Sequence, residues 1–335
     1  MAVSPDPIDE VPDPIDEVPP PDPSAEPAGL VVLVEPGDRI HFLDWGGPVT
    51  PASEPAAPAT PATDAAPGVL LLPGLSSTAW IWTPVARRLR SRVHTVAMDL
   101  RGHGLSDAPT TGFDPETLAA DVVAVAEGSG LLAWAGGPTA PDRLVLAGHG
   151  FGAIVAAWSA AVLGDRCAAL VLVDGGFEDF RVSTGLEPDE FLRGLDEPPE
   201  VLRSLDAFLD DRRGFDPATW DQDQEHVARS TVVETAAGRV VPTTRPHVLE
   251  ACVTAMFEYH PADTLTRVAA PIVLLTAAEN EEGNRGRSLA TLQAALSEKG
   301  HAPLRVHSFP GEGHNLMRYR PVEVSAAILA ATMRT

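Results

Sequence analysis

Apolar residues along this chain gather in short unbroken runs. Gly68-Val-Leu-Leu-Leu72, Val93-His-Thr-Val-Ala-Met-Asp99, Leu144-Val-Leu-Ala147, Ala168-Ala-Leu-Val-Leu-Val-Asp174 and Pro271-Ile-Val-Leu-Leu275 are of strand length and do not alternate with polar residues. Such runs predict strands buried on both faces. Helical patterns lie between and after them, at about 81–91, 115–127, 287–298 and 322–333, with a further strand at 304–308. Two leading strands, Leu30–Val34 and Arg39–Asp44, flank the turn signal Pro36-Gly-Asp38. The alternation predicts an α/β fold: a mostly parallel central sheet covered by helices on both faces.

The alternation stops between 175 and 262. This segment carries helical patterns at 188–195, 199–210 and 248–257, and a hairpin signal with strands 230–234 and 240–244 around Ala237-Gly-Arg239. An insertion ahead of the last two strands predicts a cap over a core made of 29–174 and 263–335. Residues 48–67, built of Pro, Ala, Thr and a few acids, have no periodicity and read as a long loop. Residues 1–28 are acidic and proline-rich, and Asp-Pro-Ile-Asp-Glu-Val-Pro occurs at 6–12 and again at 13–19. Such a segment buries too little apolar surface to offset chain entropy, so it is expected to be disordered.

Charge narrows the function classes. The 335 residues carry 47 Asp and Glu against 24 Lys and Arg, a net charge of -23. No nucleic-acid partner is expected, since that would need a basic stripe, and no anionic membrane surface. No apolar run reaches the roughly 18 residues of a membrane helix. The acidic N-terminus is unlike a secretory signal. The cysteines, Cys167 and Cys252, are two only and far apart, which makes no disulfide framework and no zinc site. The expected setting is the cytoplasm, with a small-molecule substrate or ligand and with no metal and no cofactor.

One stretch carries the chemistry. Leu144-Val-Leu-Ala-Gly-His-Gly-Phe-Gly152 reads as strand, tight turn and the start of a helix continuing through Trp158. Glycines at 148 and 152 frame a nucleophile elbow, G-x-S-x-G, whose central position is held here by Gly150. Met98-Asp-Leu-Arg-Gly-His-Gly-Leu-Ser-Asp107, Leu72-Pro-Gly74 and Gly311-Glu-Gly-His314 follow other expected strands. With these four motifs in order, the chain from about Leu30 to Met333 resembles the α/β-hydrolase superfamily, in its capped branch.

That resemblance implies roles. In the family a serine attacks an acyl carbon, a histidine takes its proton, a carboxylate orients the histidine, and two backbone amides hold the oxyanion. His314 matches the base, and the amides of Leu75 and Phe151 match the oxyanion donors. Pro73 replaces the family's usual histidine. The acid stays open: Asp174 ends one strand, Glu279 follows another, Asn280 falls on the family's aspartate position, and an absent acid is a third outcome. His103 and His149 lie in motif loops and are expected to be structural. Ser76, Ser77 and Ser106 are off the elbow and poor substitutes for a nucleophile. Trp80 and Trp82 are expected to shape a substrate pocket.

Two functions fit. One is a hydrolase of a small apolar ester, lactone or similar carbonyl compound, with weak or non-standard activity in which His314 activates a water over Gly150. The other is a non-catalytic binding or scaffold protein that keeps the fold. An artificial Ser→Gly change made to trap a ligand is a third reading.

Overall fold

The computed structural model describes residues 18–48, 66–133, 142–277 and 283–333. Eight strands form the central sheet: β1 (Ala28–Val34), β2 (Asp38–Asp44), β3 (Gly68–Leu72), β4 (Thr95–Met98), β5 (Leu144–His149), β6 (Cys167–Val173), β9 (Ile272–Thr276) and β10 (Arg305–Ser308). Their order across the sheet is β1-β2-β4-β3-β5-β6-β9-β10. β1 and β2 pair antiparallel, as do β2 and β4, and all later pairs are parallel. β7 (Val232–Glu234) and β8 (Val240–Pro242) form a separate antiparallel hairpin.

The unbroken apolar runs are explained by two cores, one on each side of the sheet. Leu70 and Leu72 of β3, Leu144 and Leu146 of β5, and Leu170 and Leu172 of β6 face one core. Their neighbours Val69, Leu71, Val145, Ala147, Ala169 and Val171 face the other. Successive side chains of a strand point to opposite faces, so a strand covered on both must be apolar throughout. The first core is closed by α2 (Pro115–Gly128), α3 (Phe151–Leu163) and α10 (Asn284–Glu298), the second by α1 (Thr83–Leu89) and α12 (Pro321–Thr332).

Between β6 and β9 the chain forms α4 (Phe180–Thr184), α5 (Pro188–Gly194), α6 (Leu205–Phe215), α7 (Gln222–Ser230), the hairpin, α8 (Pro246–Phe257) and α9 (Pro261–Leu265). It holds a small core of its own around Phe208, Leu209, Ala228 and Val240. The helix expected at 199–210 instead runs over 205–215. Ser204 is extended, and its hydroxyl accepts from the Ala207 amide at 3.1 Å, which fixes the helix start. α7 escaped the sequence reading because Gln222-Asp-Gln-Glu225 offers no apolar periodicity; Asp221 caps it by accepting from the Gln224 amide at 2.8 Å. The short α4, α9 and α11 (Leu316–Tyr319) fall below the length at which periodicity can be read.

Residues 18–27 depart from the disorder expected of the whole 1–28 segment; the rest of that segment, residues 1–17 with almost all of the repeat, lies outside the described residues. Ala25 is buried, Asp22 pairs with Arg90 at 3.3 Å and Glu26 with Arg87 at 3.3 Å. The two arginines on and just after α1 supply the partners that composition alone did not suggest. The expected loop at 48–67 lies almost wholly outside the described residues as well.

Candidate active site

β5 ends at His149 and α3 begins at Phe151, leaving Gly150 alone at the turn with φ 53° and ψ −118°. Chain crossing makes this turn glycine-rich. A Cβ on Gly148 would lie 2.2 Å from the Gly152 carbonyl oxygen, and one on Gly152 would lie 2.3 Å from that of Pro73. Gly175, after β6, packs against the Gly150 backbone in the same way, with 2.5 Å to its carbonyl oxygen. At Gly150 the space is different. A Cβ there would stand 3.2 Å from His314 Nε2, 3.6 Å from its Cε1 and 3.7 Å from Gly74 Cα.

His314 reaches this point from the loop between β10 and α11, and its side chain is 57% exposed. Its Nδ1 lies 2.6 Å from Asp174 Oδ2. Of the two candidate acids, the structure thus brings Asp174 to the histidine; Glu279, with Asn280, lies outside the described residues. Asp174 is buried and has a positive φ of 46°. Its other oxygen accepts from the Ala277 amide at 2.9 Å, from Arg285 Nη2 at 2.9 Å and from the Thr276 hydroxyl at 3.3 Å. Burial alone would raise the Asp174 pKa. The hydrogen bond from His314, the charge of Arg285 and the Ala277 amide outweigh it and hold the carboxyl well below the usual carboxylate range. Asp174 is therefore ionised, so Nδ1 of His314 carries a proton toward it and Nε2 is the ring atom turned toward Gly150.

Sequence reasoning missed Arg285 and Glu178. Arg285 Nε donates to both Glu178 oxygens at 3.1 and 3.2 Å, and its guanidinium stands 5.1 Å over the Phe177 ring. No motif marks either residue, because the pairing joins positions 107 apart.

His149 lies directly behind the base. Its Nε2–H donates to the His314 carbonyl at 3.1 Å, and the two rings are 4.4 Å apart. Burial, with the nearby His314, pushes the His149 pKa down to about 3, against the hydrogen bond to His314 and the Asp174 charge. His149 is thus a neutral strut. His103 is buried, donates from Nδ1 to the Arg101 carbonyl at 3.0 Å and is held neutral by burial in the same way. Ser106 bonds the Asp99 carbonyl at 2.9 Å, inside the loop after β4.

The amide of Phe151 opens α3, so it has no acceptor within the helix. Leu75 follows Gly74, the residue whose Cα borders the space over Gly150, and the next residue, Ser76, has a positive φ of 58°.

The expected roles of Trp80 and Trp82 need correction. Trp82 is fully buried in the core beside α1 and α12. Trp80 packs edge-on against Trp45 at 6.3 Å and lies tilted against His226 of α7, with ring centres 4.1 Å apart. Neither lines the cavity beside Ser76 and Asn315; Ile81, between them, does. In a tight helical turn, successive side chains point in different directions, and sequence alone does not say which faces inward. Among the described residues, no three His, Cys, Asp or Glu side chains are grouped to hold a metal ion, and no helix is long and apolar enough to cross a membrane.

The pattern of the alpha/beta hydrolase family matches residues 69–327. The chain belongs to the alpha/beta hydrolase family. This alpha/beta hydrolase is 33% identical over 108 residues to 2-(acetamidomethylene)succinate hydrolase of Mesorhizobium japonicum, covering 32% of this chain and 35% of that enzyme. It is 32% identical over 139 residues to N-formylmaleamate deformylase of Pseudomonas putida, covering 41% of this chain and 42% of the other. The matches thus span well under half the length of these two relatives. A longer match, 26% identical over 325 residues, covers 90% of this chain and 76% of Epoxide hydrolase 3 of Xenopus tropicalis. Among solved structures, that of E-2-(acetamidomethylene)succinate hydrolase superimposes with a TM-score of 0.68 at 19% identity, over 92% of this chain and 99% of the other. At that identity the likeness speaks for the fold.

Proposed function

We propose that this protein is a hydrolase in which His314 activates a water molecule in the space over Gly150. The observation that carries this reading is the 3.2 Å between His314 Nε2 and a Cβ built on Gly150, with Asp174 2.6 Å behind the same ring. The space that a serine side chain would fill lies within hydrogen-bond reach of a base whose tautomer is fixed. Water there attacks the carbonyl carbon of a small ester, lactone or amide, and its proton passes to Nε2. The developing oxyanion takes hydrogen bonds from the amides of Leu75 and Phe151. Collapse of the tetrahedral intermediate breaks the bond to the leaving group, which takes the proton back from His314. The segment 175–262 serves as the cap that shapes the substrate cavity. Two relatives are hydrolases by name and one a deformylase, which supports a hydrolytic reading. The buried, unpaired cysteines fit a reducing cytoplasm.

A binding protein that keeps the fold is the second reading, favoured by Gly150 itself, which offers no nucleophile. Two variants separate them. Gly150→Ser is expected to raise turnover of p-nitrophenyl acetate roughly tenfold or more, a modest share of what a triad nucleophile is worth. His314→Ala is expected to abolish the parent's turnover. A folded Gly150→Ser with no gain, together with equal rates for the parent and His314→Ala, would leave the binding protein standing.

A further inference from the structure

A cavity of about 410 Å3 lies beside the loops that carry Leu75 and His314. Ser76, next to Leu75, and Asn315, next to His314, lie on its wall. Much of the rest is apolar, from Ile81, Phe208, Trp220 and Val227. Three charged side chains also line it: Glu197, Arg212 and Arg318. Glu197 and Arg212 pair with each other. Arg318, four residues beyond His314, has no carboxylate partner among the described residues. Its Nε donates to the Thr219 hydroxyl at 2.6 Å and its Nη2 to the Asp216 main-chain carbonyl at 2.9 Å, both uncharged acceptors. The nearby Asp216 carboxylate is turned to the Thr219 hydroxyl and the Ala218 amide. The cavity lining thus holds one more positive than negative side chain, and Arg318, although the Asp216 carboxylate acts on it electrostatically, makes no ion pair there.

A second observation comes from α7. Gln224 is only 6% exposed and lines the same cavity. Its side-chain amide makes no hydrogen bond to the protein among the described residues. Its amide atoms are open to the cavity rather than sealed from it, so they are free to bond an occupant. Arg318 and Gln224 together offer N–H donors and a positive charge, the chemistry that recognises a carboxylate.

We propose that this cavity is a carboxylate subsite, and that the substrate is an ester or amide of a small dicarboxylic acid. One end is a free carboxylate held by Arg318 with the Gln224 amide. The other is the carbonyl presented over Gly150; that half rests on the hydrolytic reading above. The apolar wall covers the short carbon chain between the two ends.

Monomethyl and dimethyl glutarate test the subsite, because both carry the ester and only one carries the charge. Calorimetric titration of the full chain is expected to show monomethyl glutarate binding about tenfold more tightly, the scale of one charge-assisted contact. Arg318→Gln is expected to bring that ratio close to one, and Arg318→Lys to restore part of it. Gln224→Leu, which removes no hydrogen bond within the protein, is expected to lower the ratio about threefold and serves if Arg318→Gln fails to fold. Equal binding of the two esters by the parent would overturn the proposal. So would an unchanged ratio in a variant of either residue that melts like the parent. Calorimetry reads binding rather than turnover, so a preserved ratio without hydrolysis of either ester would sink the hydrolytic reading and leave the subsite standing.

Discussion

At the scale of single residues, the site is a set of groups whose protonation is fixed by what surrounds them. His149 is buried with a pKa near 3, against 6.5 for a free histidine. Below pH 6.5 the unfolded chain takes up a proton that the native chain refuses. The stability tied to a neutral His149 is therefore complete above pH 6.5 and is lost as pH falls toward 3. By about pH 5 the loss amounts to about 2 kcal/mol. His149→Gln has no such group and keeps a donor for the His314 carbonyl. Its melting temperature should fall less than the parent's between about pH 7 and about pH 5. Equal falls would show that His149 does not carry the acid sensitivity. Asp174 acts in the same direction but lower, because its depressed pKa places its window below the 3.8 of a free aspartate. The base and one of its candidate acids were legible in the sequence because each ends a recognisable motif or strand. The choice between Asp174 and Glu279 was not, since it depends on a 2.6 Å distance across 140 residues.

At the scale of elements, the β5–α3 turn separates glycines that packing requires from one that it does not. Gly152→Ala would drive its methyl against the Pro73 and Leu72 carbonyl oxygens, at 2.3 and 2.5 Å. Backbone cannot yield as a side-chain tip can, so the expected loss is about 3 kcal/mol or more, and a melt or a failure to express as soluble protein reads it. The Cβ of Gly150→Ser meets no backbone atom closer than 3.7 Å; it bears the strain of its φ of 53° and a 3.2 Å contact with the exposed His314 ring, which can shift. Its expected cost is about 1–2 kcal/mol, a fall of roughly 1–3 °C in melting temperature for a chain of this size. A fall as large as that of Gly152→Ala would mean that the space beside His314 Nε2 is not open to a side chain. The glycine spacing was visible in the sequence. Which glycines are sterically obliged was not, because the atoms opposing Gly152 come from the end of β3 and those opposing Gly148 from the start of α3 folding back on it.

At the scale of the whole molecule, Arg87 on α1 joins three parts of the chain. It donates to both oxygens of Asp223 in the first turn of α7 at 2.7 and 2.9 Å, to the Ala25 carbonyl at 3.3 Å, and pairs with Glu26. Its side chain is 14% exposed, so the bonds to Asp223 are poorly screened by solvent, while the Glu26 carboxylate is largely exposed. Arg87→Met keeps the apolar stem and removes the bonds. It is expected to cost about 2 kcal/mol and to speed limited proteolysis within 201–245 relative to the β-sheet core. Unchanged cleavage there would show that the 175–262 segment is held by its apolar contacts alone. The fold class, the strand order along the chain and the place of the insertion were legible because continuous apolar runs can be satisfied only by a sheet covered on both faces. The helices of the insertion were less so, since its small core asks few apolar residues of each.

The sequence by itself determined the architecture and the frame of the site: buried strands from unbroken apolar runs, an elbow from paired glycines, and an empty central position at Gly150. These follow from local chemistry, in which periodicity, turn residues and the absence of a side chain need no distant partner. Only the tertiary structure decided what faces that position. It set His314 on Asp174, gave Asp174 to Arg285 as well, withdrew Trp82 into the core, and placed Arg318, with no ion pair among the described residues, and Gln224 on one cavity wall. Those outcomes depend on distances between residues far apart in the chain.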